Sequence, residues 1–251
     1  MNKIALVEVF RSPQGEGYNT GRDAIFVRTA GCNLSCVFAE GAVCDTPYQQ
    51  ASLKLTLDEL FEEHIRPLLG GKLPDEGRWY GREEMMMLVL TGGEPTMQPL
   101  FDELVRRAKR HYLYVAVESN GTKWREGLGH VDWLCVSPKT DVKQGSPAPG
   151  HNHNPQSAAL HPEVVRWMAQ HRSTASGEYR FVIASDSPWP EYLPAFRHYL
   201  SPAVLSDGSG LEWKTGFPGF VPGAVDRCLK IVQEDPRWRI SLQTHKLLGV
   251  R

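Results

Sequence analysis

The sequence predicts an α/β fold in which a mainly parallel sheet is curved into a partial or full barrel. Apolar and β-branched runs alternate with amphipathic segments along the chain, an order typical of strands connected by helices. Five of the apolar runs are followed by short polar or glycine-rich segments, as expected for parallel strands that end at a binding site. A length of 251 residues is sufficient for one such domain, and we expect a single domain over residues 1–251.

The elements follow from the pattern of apolar residues. Strands are predicted at 3–10, 23–29, 85–91, 112–118, 131–137, 178–184 and 237–243. Helices are predicted at 56–69, 98–110, 161–171, 190–200 and 222–235, and the first begins with Thr56 as N-cap and Glu59 three residues later, the pattern of a capping box. Glycine- and proline-containing segments near 70–84 and 144–157 are predicted to be loop insertions.

Composition excludes several classes of partner. The chain has 28 Lys and Arg residues against 29 Asp and Glu residues, so its net charge gives no electrostatic argument for nucleic acid or a membrane surface. No apolar run approaches the roughly 18 residues of a membrane span, and the first residues resemble a strand rather than a signal peptide. We therefore expect a cytoplasmic protein with reduced thiols. Cys135 and Cys228 lie in apolar or amphipathic segments and are expected to be buried structural residues.

The five polar segments are predicted to form one site. They follow the predicted strands at Arg28–Cys32, Thr91–Pro95, Glu118–Thr122, Ser137–Lys139 and Gln243–Lys246. In parallel sheets and barrels the carboxyl ends of the strands share one rim, and active sites are built there. A shared site explains this repeated arrangement better than five independent loops do.

Three cysteines, Cys32, Cys36 and Cys44, lie in one thirteen-residue loop. Thiolates suit iron–sulfur clusters or zinc. Three thiolates can hold a four-iron cluster through three of its irons, which leaves the fourth iron open to a ligand that is not protein. The alternative is a zinc site completed by a histidine such as His64 or His245, in a binding or regulatory module without enzyme activity.

The Cys-x3-Cys pair, the third cysteine and the later Gly-Gly-Glu-Pro segment resemble the radical S-adenosylmethionine (SAM) enzymes. The resemblance implies a modified, incomplete (β/α) barrel, a [4Fe-4S] cluster on Cys32, Cys36 and Cys44, and SAM bound to the open iron. One-electron reduction, from a donor such as flavodoxin or ferredoxin, then cleaves SAM and gives a 5′-deoxyadenosyl radical. The cofactor carries this chemistry, and the protein supplies orientation and water exclusion.

A narrower resemblance comes from the flanking motifs. Pro13–Gly17, Phe26–Leu34, Cys44–Thr46, Ser137–Lys139 and Gln243–Lys246 are similar to segments of the 7-carboxy-7-deazaguanine synthases, and the similarity extends from about residue 8 to the C-terminus without 50–84 and 144–160. The resemblance implies a homodimeric carbon–nitrogen lyase that uses Mg²⁺. It converts 6-carboxy-5,6,7,8-tetrahydropterin to 7-carboxy-7-deazaguanine with release of ammonia, on the pathway to queuosine, a tRNA modification, and other deazapurines.

The resemblance also carries over site residues. SAM contacts are expected from Val43, Cys44, Asp45, Gly93, Glu94, Ser137, Pro138 and Lys139. Substrate contacts are expected from Pro13, Gln14, Gly15, Glu16, Arg28, Thr91, His245 and Arg251. Thr46 is expected to bind Mg²⁺, a hard ion that takes few protein ligands, and no residue is assigned as an acid or base.

Two alternatives to this assignment stay open. Arg28 and Glu16 could form a simple surface ion pair. The enzyme could also have another radical SAM activity, such as that of a glycyl-radical activating enzyme, although Gln14–Gly17 argues against this.

Two segments depart from the family pattern. Seven residues separate Cys36 from Cys44, where radical SAM enzymes usually have two, and Val43 replaces the usual aromatic residue before the third cysteine. We expect Phe38 to reach the adenine instead. Leu211–Lys214 stands where relatives often carry Leu-Gln-Pro, so SAM contacts are not assigned there.

Overall fold

The computed structural model describes residues 2–40, 42–46, 48–71, 81, 84–140, 142–144, 158–206 and 219–250. Its strands are β1 (Ile4–Pro13), β2 (Asp23–Thr29), β3 (Cys36–Ala39), β4 (Ala42–Val43), β5 (Leu53–Leu55), β6 (Met87–Gly92), β7 (Tyr114–Ser119), β8 (Trp133–Val136), β9 (Lys143–Gln144), β10 (Gly177–Ile183), β11 (Arg197–Pro202) and β12 (Arg239–Ile240). Within the described residues, β3, β4 and β9 form a small sheet and the other strands form a nine-stranded sheet.

The large sheet is mainly parallel and open. Its order is β12-β11-β10-β8-β7-β6-β2-β1-β5, and the strands from β2 to β12 pair in parallel. β1 and β5 form an antiparallel extension at one edge. The predicted α/β class and incomplete barrel are therefore confirmed: β5 and β12 are the two edges of the sheet and do not pair with each other in the part of the chain described here.

The first four helices of the described residues pack on one face of this sheet. The first, α1, consists of Leu57–Glu59, a π-helical stretch Leu60–Ile65 and Arg66–Leu68. The others are α2 (Phe101–Arg110), α3 (Pro162–Gln170), α4 (Ala224–Glu234) and α5 (Thr244–Leu248). The predicted capping box is confirmed, since Thr56 Oγ1 accepts from the Glu59 N–H at 3.2 Å and Glu59 Oε2 accepts from the Thr56 N–H at 2.7 Å. None of the helices in the described segments combines the length and apolarity needed to cross a membrane.

Successive side chains of a strand lie alternately in the core beneath the helices and on the opposite face of the sheet. In β2, Ile25 and Val27 belong to the large core that includes residues of α1, α2 and α3, whereas Ala24 and Phe26 belong to a second apolar cluster. Successive side chains of a strand point to opposite faces, so Arg28 shares the face of Phe26. The same alternation places polar residues of the other strands on this second face.

The predicted helix at 190–200 is wrong. Residues 190–196 are not helical, and Arg197–Pro202 is β11, paired in parallel with β10. Pro194 would stand in the interior of the predicted helix, where a proline removes a hydrogen bond and clashes with the preceding turn. The predicted strand at 237–243 is shorter in the structure, where only β12 (Arg239–Ile240) is a strand and α5 begins at Thr244. The C-cap of α5 is Gly249, whose φ of 66° lies in the left-handed region.

Candidate active site

A cavity of about 650 Å³ lies at the carboxyl ends of the parallel strands. Its size is typical of a site for a small organic ligand. Each of the five polar segments contributes to its wall, with these residues among others: Arg28, Thr91, Glu118, Ser137 and His245. The structure therefore brings together the strand ends that the sequence predicted to share one rim.

Most of the predicted site residues line this cavity. They are Pro13, Gln14, Gly15, Glu16, Arg28, Cys32, Cys36, Val43, Cys44, Asp45, Thr46, Thr91, Gly93, Ser137, Lys139 and His245. Glu94 and Pro138 are not in its wall. Arg251 and the segment Leu211–Lys214 lie outside the described residues.

The three loop cysteines form no disulfide bond and line the cavity. Burial raises the pKa of the Cys32 and Cys44 thiols to about 12, so these groups are protonated at neutral pH unless a metal binds them. The Leu34 N–H donates to Cys32 Sγ at 3.4 Å, the kind of contact that tunes iron–sulfur clusters. Within the described residues no three His, Cys, Asp or Glu side chains are arranged around a single metal ion. Three thiols around one cavity fit a cluster, which distributes its ligands over several irons.

A short hairpin accounts for the unusual cysteine spacing. β3 begins at Cys36, β4 ends at Val43, and the Cys44 N–H donates to the Cys36 carbonyl at 3.1 Å. Val37 pairs with Val43 and Ala39 with Ala42, so Phe38 is the additional residue of a β-bulge. Bulges re-aim side chains beside active sites. Phe38 lines the cavity, and its ring centroid is 5.8 Å from Lys139 Nζ.

Glu94 forms hydrogen bonds with the end of β7 and the loop that follows it. Its side chain is fully buried, Oε1 accepts from Ser119 Oγ at 2.9 Å, and Oε2 accepts from the Asn120 N–H at 2.8 Å. The adjacent glycines allow close packing, because a Cβ at Gly92 would overlap the Thr29 backbone and a Cβ at Gly93 would overlap Gly31 O. Glu94 therefore connects the loops after β6 and β7.

Residues 14–17, which follow β1, form hydrogen bonds with the C-terminal part of the chain. Gly17 N–H donates to Ser241 Oγ at 2.8 Å, and Thr244 N–H donates to the Gly15 carbonyl at 3.0 Å. Gln14 Nε2 donates to Glu118 Oε1 at 3.3 Å. Gln14 and Glu16 therefore reach the cavity although β1 runs antiparallel to its neighbour.

Arg28 forms a different ion pair from the one considered as an alternative. Its Nε lies 2.9 Å from Glu8 Oε1, whereas Glu16 pairs with Arg180 at 3.3 Å. The simple Arg28–Glu16 surface pair is therefore wrong. Both residues line the cavity, where their charges face the same space.

The C-terminal helix contributes a second set of contacts. Lys246 Nζ is 2.7 Å from Asp45 Oδ2, and Gln243 Nε2 donates to the same oxygen at 3.2 Å. Burial acts to raise the pKa of Asp45, but the charge and hydrogen bond of Lys246, the hydrogen bond from Gln243 and the charge of Arg28 together lower the pKa overall. Burial, with the nearby Lys246 charge, lowers the pKa of His245 to about 4, so this imidazole is neutral at physiological pH. These contacts fix the loop that carries Thr46.

Comparison with known proteins identifies the family. No family model matches the chain. The chain is, however, 30% identical over 244 residues to the 7-carboxy-7-deazaguanine synthase of Bacteroides thetaiotaomicron, and the match covers 97% of both chains. The chain belongs to the 7-carboxy-7-deazaguanine synthase family.

Further relatives agree with this family. The 7-carboxy-7-deazaguanine synthase of Caulobacter vibrioides is 30% identical over 98% of each chain. The crystal structure of QueE from Escherichia coli matches with a TM-score of 0.60 and 18% identity, over 96% of this chain and 93% of that one, which shows a shared fold. Membership of this enzyme family confirms the predicted family and argues against the glycyl-radical activating enzyme and the zinc-stabilised module.

Arg180 and Ser201 are cavity residues that were not predicted. Gln243 and Lys246 were predicted only as ends of the polar segment Gln243–Lys246, without a role of their own. Ser201 Oγ and Gln243 Oε1 are buried and have no hydrogen-bond partner among the described residues, as expected for groups that face a polar ligand. Ser201 was missed because 190–200 was assigned to a helix. Arg180 could have been found from its position in a predicted strand, since a charge within an apolar run marks a paired or functional group.

The remaining cysteines follow the prediction. Cys135 and Cys228 are both buried, and burial raises the pKa of each thiol. Cys135 in addition lines the cavity below Ser137. Cys135 therefore contributes to the cavity wall as well as to the core.

Proposed function

We propose that the chain is a radical SAM lyase that converts 6-carboxy-5,6,7,8-tetrahydropterin to 7-carboxy-7-deazaguanine with release of ammonia. The observation that carries this proposal is the placement of three cysteine side chains and a set of carboxylate and amide side chains around one cavity of about 650 Å³. The thiols fit a cofactor, and the polar groups fit a small heterocycle. The family of the relatives supplies the identity of that heterocycle.

Cys32, Cys36 and Cys44 would hold the [4Fe-4S] cluster, and the open iron would take SAM. When bound, these groups supply a carbon-centred radical by one-electron cleavage of SAM. The chain contributes the surrounding wall: the backbone at Gly93, and Ser137 with Lys139, whose ammonium donates to the Ser137 carbonyl at 2.9 Å. These groups bind the polar parts of SAM and exclude water.

The substrate would lie between Arg28 and the carboxylates. Arg28 carries the cation that a pterin carboxylate requires. The central carbon of its guanidinium lies 5.8 Å from the ring centroid of Phe10, which lines the same cavity as Phe26. Gln14, Glu16 and the neighbouring backbone can bind the pyrimidine edge, which carries both donors and acceptors. A site with matched polar groups of this kind discriminates strongly between related heterocycles.

Thr46 would bind Mg²⁺ beside the substrate carboxylate. Its hydroxyl is in the cavity wall, and the hydrogen-bonded Asp45 next to it is fixed by Lys246. A hydroxyl with several waters is a typical environment for Mg²⁺. His245, being neutral, can orient a substrate group without adding charge.

The proposal also covers the domain organisation, the oligomeric state, the location and the electron donor. We expect one domain over 1–251, a homodimer, a cytoplasmic location, and a one-electron donor such as flavodoxin or ferredoxin. The near-zero net charge is compatible with a small-molecule substrate and gives no argument for nucleic acid or a membrane.

Anaerobic turnover tests the function. The reconstituted protein is incubated with SAM, a reductant, Mg²⁺ and the carboxypterin, and the product is analysed by mass spectrometry. Formation of carboxydeazaguanine with about four irons per chain is the expected result. Deoxyadenosine without carboxydeazaguanine would refute the substrate, and stoichiometric zinc without a cluster would refute the enzyme.

A further inference from the structure

Two charged residues of β10, Glu178 and Arg180, support the polar side of the cavity. Arg180 is part of the cavity wall, whereas Glu178 is not and contacts Tyr18 and Arg180. Glu178 and Arg180 are separated by one residue, so both side chains project from the same face of the strand. Glu178 is 2% exposed and Arg180 is 8% exposed. Charged residues are buried this deeply only where they are paired, so their partners indicate their role.

Glu178 fixes the segment that carries Gln14 and Glu16. Its Oε2 accepts a hydrogen bond from the Tyr18 N–H at 2.9 Å. Gly17 has a φ of 67°, and a Cβ at this position would overlap the Glu178 carboxylate. The segment therefore rests directly on Glu178, which determines its distance from the sheet.

Arg180 connects carboxylates from three elements. Its Nη2 lies 3.3 Å from Glu16 Oε2 and 3.2 Å from Glu118 Oε1, and its Nη1 lies 3.9 Å from Glu178 Oε1. Thr91 Oγ1 holds the other Glu118 oxygen at 2.7 Å. A guanidinium is planar and rigid, so one side chain sets the spacing of its carboxylate partners.

Three carboxylates, those of Glu16, Glu118 and Glu178, surround the single guanidinium of Arg180. The side chains of Glu16 and Glu118 are 16% and 19% exposed, and both line the cavity. Glu118 accepts from Arg180, Gln14 and Thr91, and Glu16 pairs with Arg180. Two carboxylates offer about eight lone-pair sites, so acceptor positions remain for a ligand. Such a wall suits a ligand edge with several N–H donors, as in the 2-amino-4-oxopyrimidine ring of a pterin.

We propose that Arg180 and Glu178 are positioning residues that set the spacing of Glu16 and Glu118 and so make the enzyme selective for a substrate that carries the ring amino group. This inference rests on the proposed function, because it assigns a role within the same reaction. Buried acceptors left without donors disfavour a ligand that lacks the amino group. The selectivity depends on correct spacing, which Arg180 and Glu178 provide.

The test compares the carboxypterin with its 2-deamino analogue in the reconstituted holoenzyme. In the wild type, loss of the amino group is expected to lower kcat/KM by about 10-fold or more. In Arg180→Lys, which keeps the charge and loses the rigid fork, the same change is expected to lower kcat/KM by about 3-fold or less. KM for the full substrate rises in the variant, while the Kd of SAM is unchanged.

A second variant and a control complete the test. Glu178→Ala releases the Gly17 segment and leaves Arg180 paired with Glu16 and Glu118, so the same loss of selectivity is expected. Arg227→Lys is the control, because Arg227 is a half-buried arginine that donates to the Ser187 carbonyl and does not line the cavity. Its selectivity should equal that of the wild type.

Three results would contradict the inference. If the deamino analogue lowers kcat/KM by the same factor in the wild type and in both folded variants, Arg180 and Glu178 do not act as positioning residues. A fall in kcat with unchanged selectivity would show a structural role alone. Absence of carboxypterin turnover by the wild type, with SAM still bound, would refute the proposed function itself and this inference with it.

Discussion

At the residue scale, the alternation of side chains along each strand decides which groups reach the cavity. In β10, Tyr179 belongs to the core beneath the helices, whereas Glu178 and Arg180 face the opposite side. In β7, Val117 belongs to the same core, and Glu118 faces the cavity. Isolated charges at alternate positions are therefore as informative as the motifs that follow the strands.

Phe38 leads to a prediction about SAM binding. Phe38→Ala is expected to weaken SAM binding because contact between an aromatic ring and a base contributes about 1–3 kcal/mol. Phe38→Tyr retains the ring and should restore affinity, and methionine, which lacks the base, should bind both proteins equally. Equilibrium binding to the reconstituted protein measures these affinities. An unchanged Kd for SAM in Phe38→Ala would place the adenine elsewhere.

Thr46 leads to a prediction about the metal. Thr46→Ala removes the hydroxyl and is expected to raise the Mg²⁺ concentration needed for half-maximal turnover, because the remaining ligands hold the ion less well. Iron content should not change. Thr56→Ala, whose hydroxyl caps α1 outside the cavity wall, is the matched control. The same Mg²⁺ dependence in both variants would exclude Thr46 from the metal site.

Glu178 leads to a prediction about pH. Burial, partly offset by Arg180, raises the pKa of its carboxyl to about 7, with Cys135, Glu118 and the Tyr18 N–H also facing it. The folded protein holds this proton more tightly than the unfolded chain does. Stability from Glu178 is therefore present below the ordinary glutamate pKa and is lost as pH rises toward about 7.

Urea unfolding at pH 5 and pH 8 measures this loss. Glu178→Gln keeps the shape of the side chain and removes the titration, so stability should decrease less between these two pH values than it does in the wild type. Glu103→Gln, at an exposed position, should behave as the wild type. Identical pH dependence in Glu178→Gln and the wild type would contradict a raised pKa.

At the element scale, the capping box of α1 gives a prediction that is independent of the site. Thr56→Ala removes the acceptor for the Glu59 N–H, and loss of such a cap costs about 1 kcal/mol. We expect the unfolding temperature to decrease by roughly 2–4 °C for a chain of this size. Iron content and SAM affinity should be unchanged, since α1 does not line the cavity. An unchanged unfolding temperature would show that the cap does not contribute.

Some strands could be predicted from their sequence pattern alone, and one could not. β2, β6, β7 and β10 were predicted because each is a short run of apolar and β-branched residues buried on both faces of a parallel sheet. β11 was not, because its sequence, Arg-His-Tyr-Leu-Ser-Pro, lacks a strand pattern and follows residues with a helical appearance. Pro194 contained the missing signal, since a proline in a helix interior argues against the helix.

At the scale of the whole molecule, one cavity unites segments that are distant in the sequence. The thiols come from the loop after β2, the carboxylates from three separate elements, and Lys246 from the last helix. Residues in motifs were predictable through the resemblance to the family. Contacts such as Arg180 with Glu16, or Lys246 with Asp45, depend on how the segment after β1 and the C-terminus close the open sheet, and local patterns do not contain this information.

The central claim is that the thiols and the carboxylate wall serve one reaction within one cavity. The most direct measurement is an anaerobic crystal structure of the reconstituted protein with SAM and the carboxypterin. The account predicts a cluster on Cys32, Cys36 and Cys44, the pterin carboxylate at Arg28, and the ring amino group at Glu16 and Glu118. A pterin bound outside this cavity, or a metal other than the cluster on the three thiols, would contradict it.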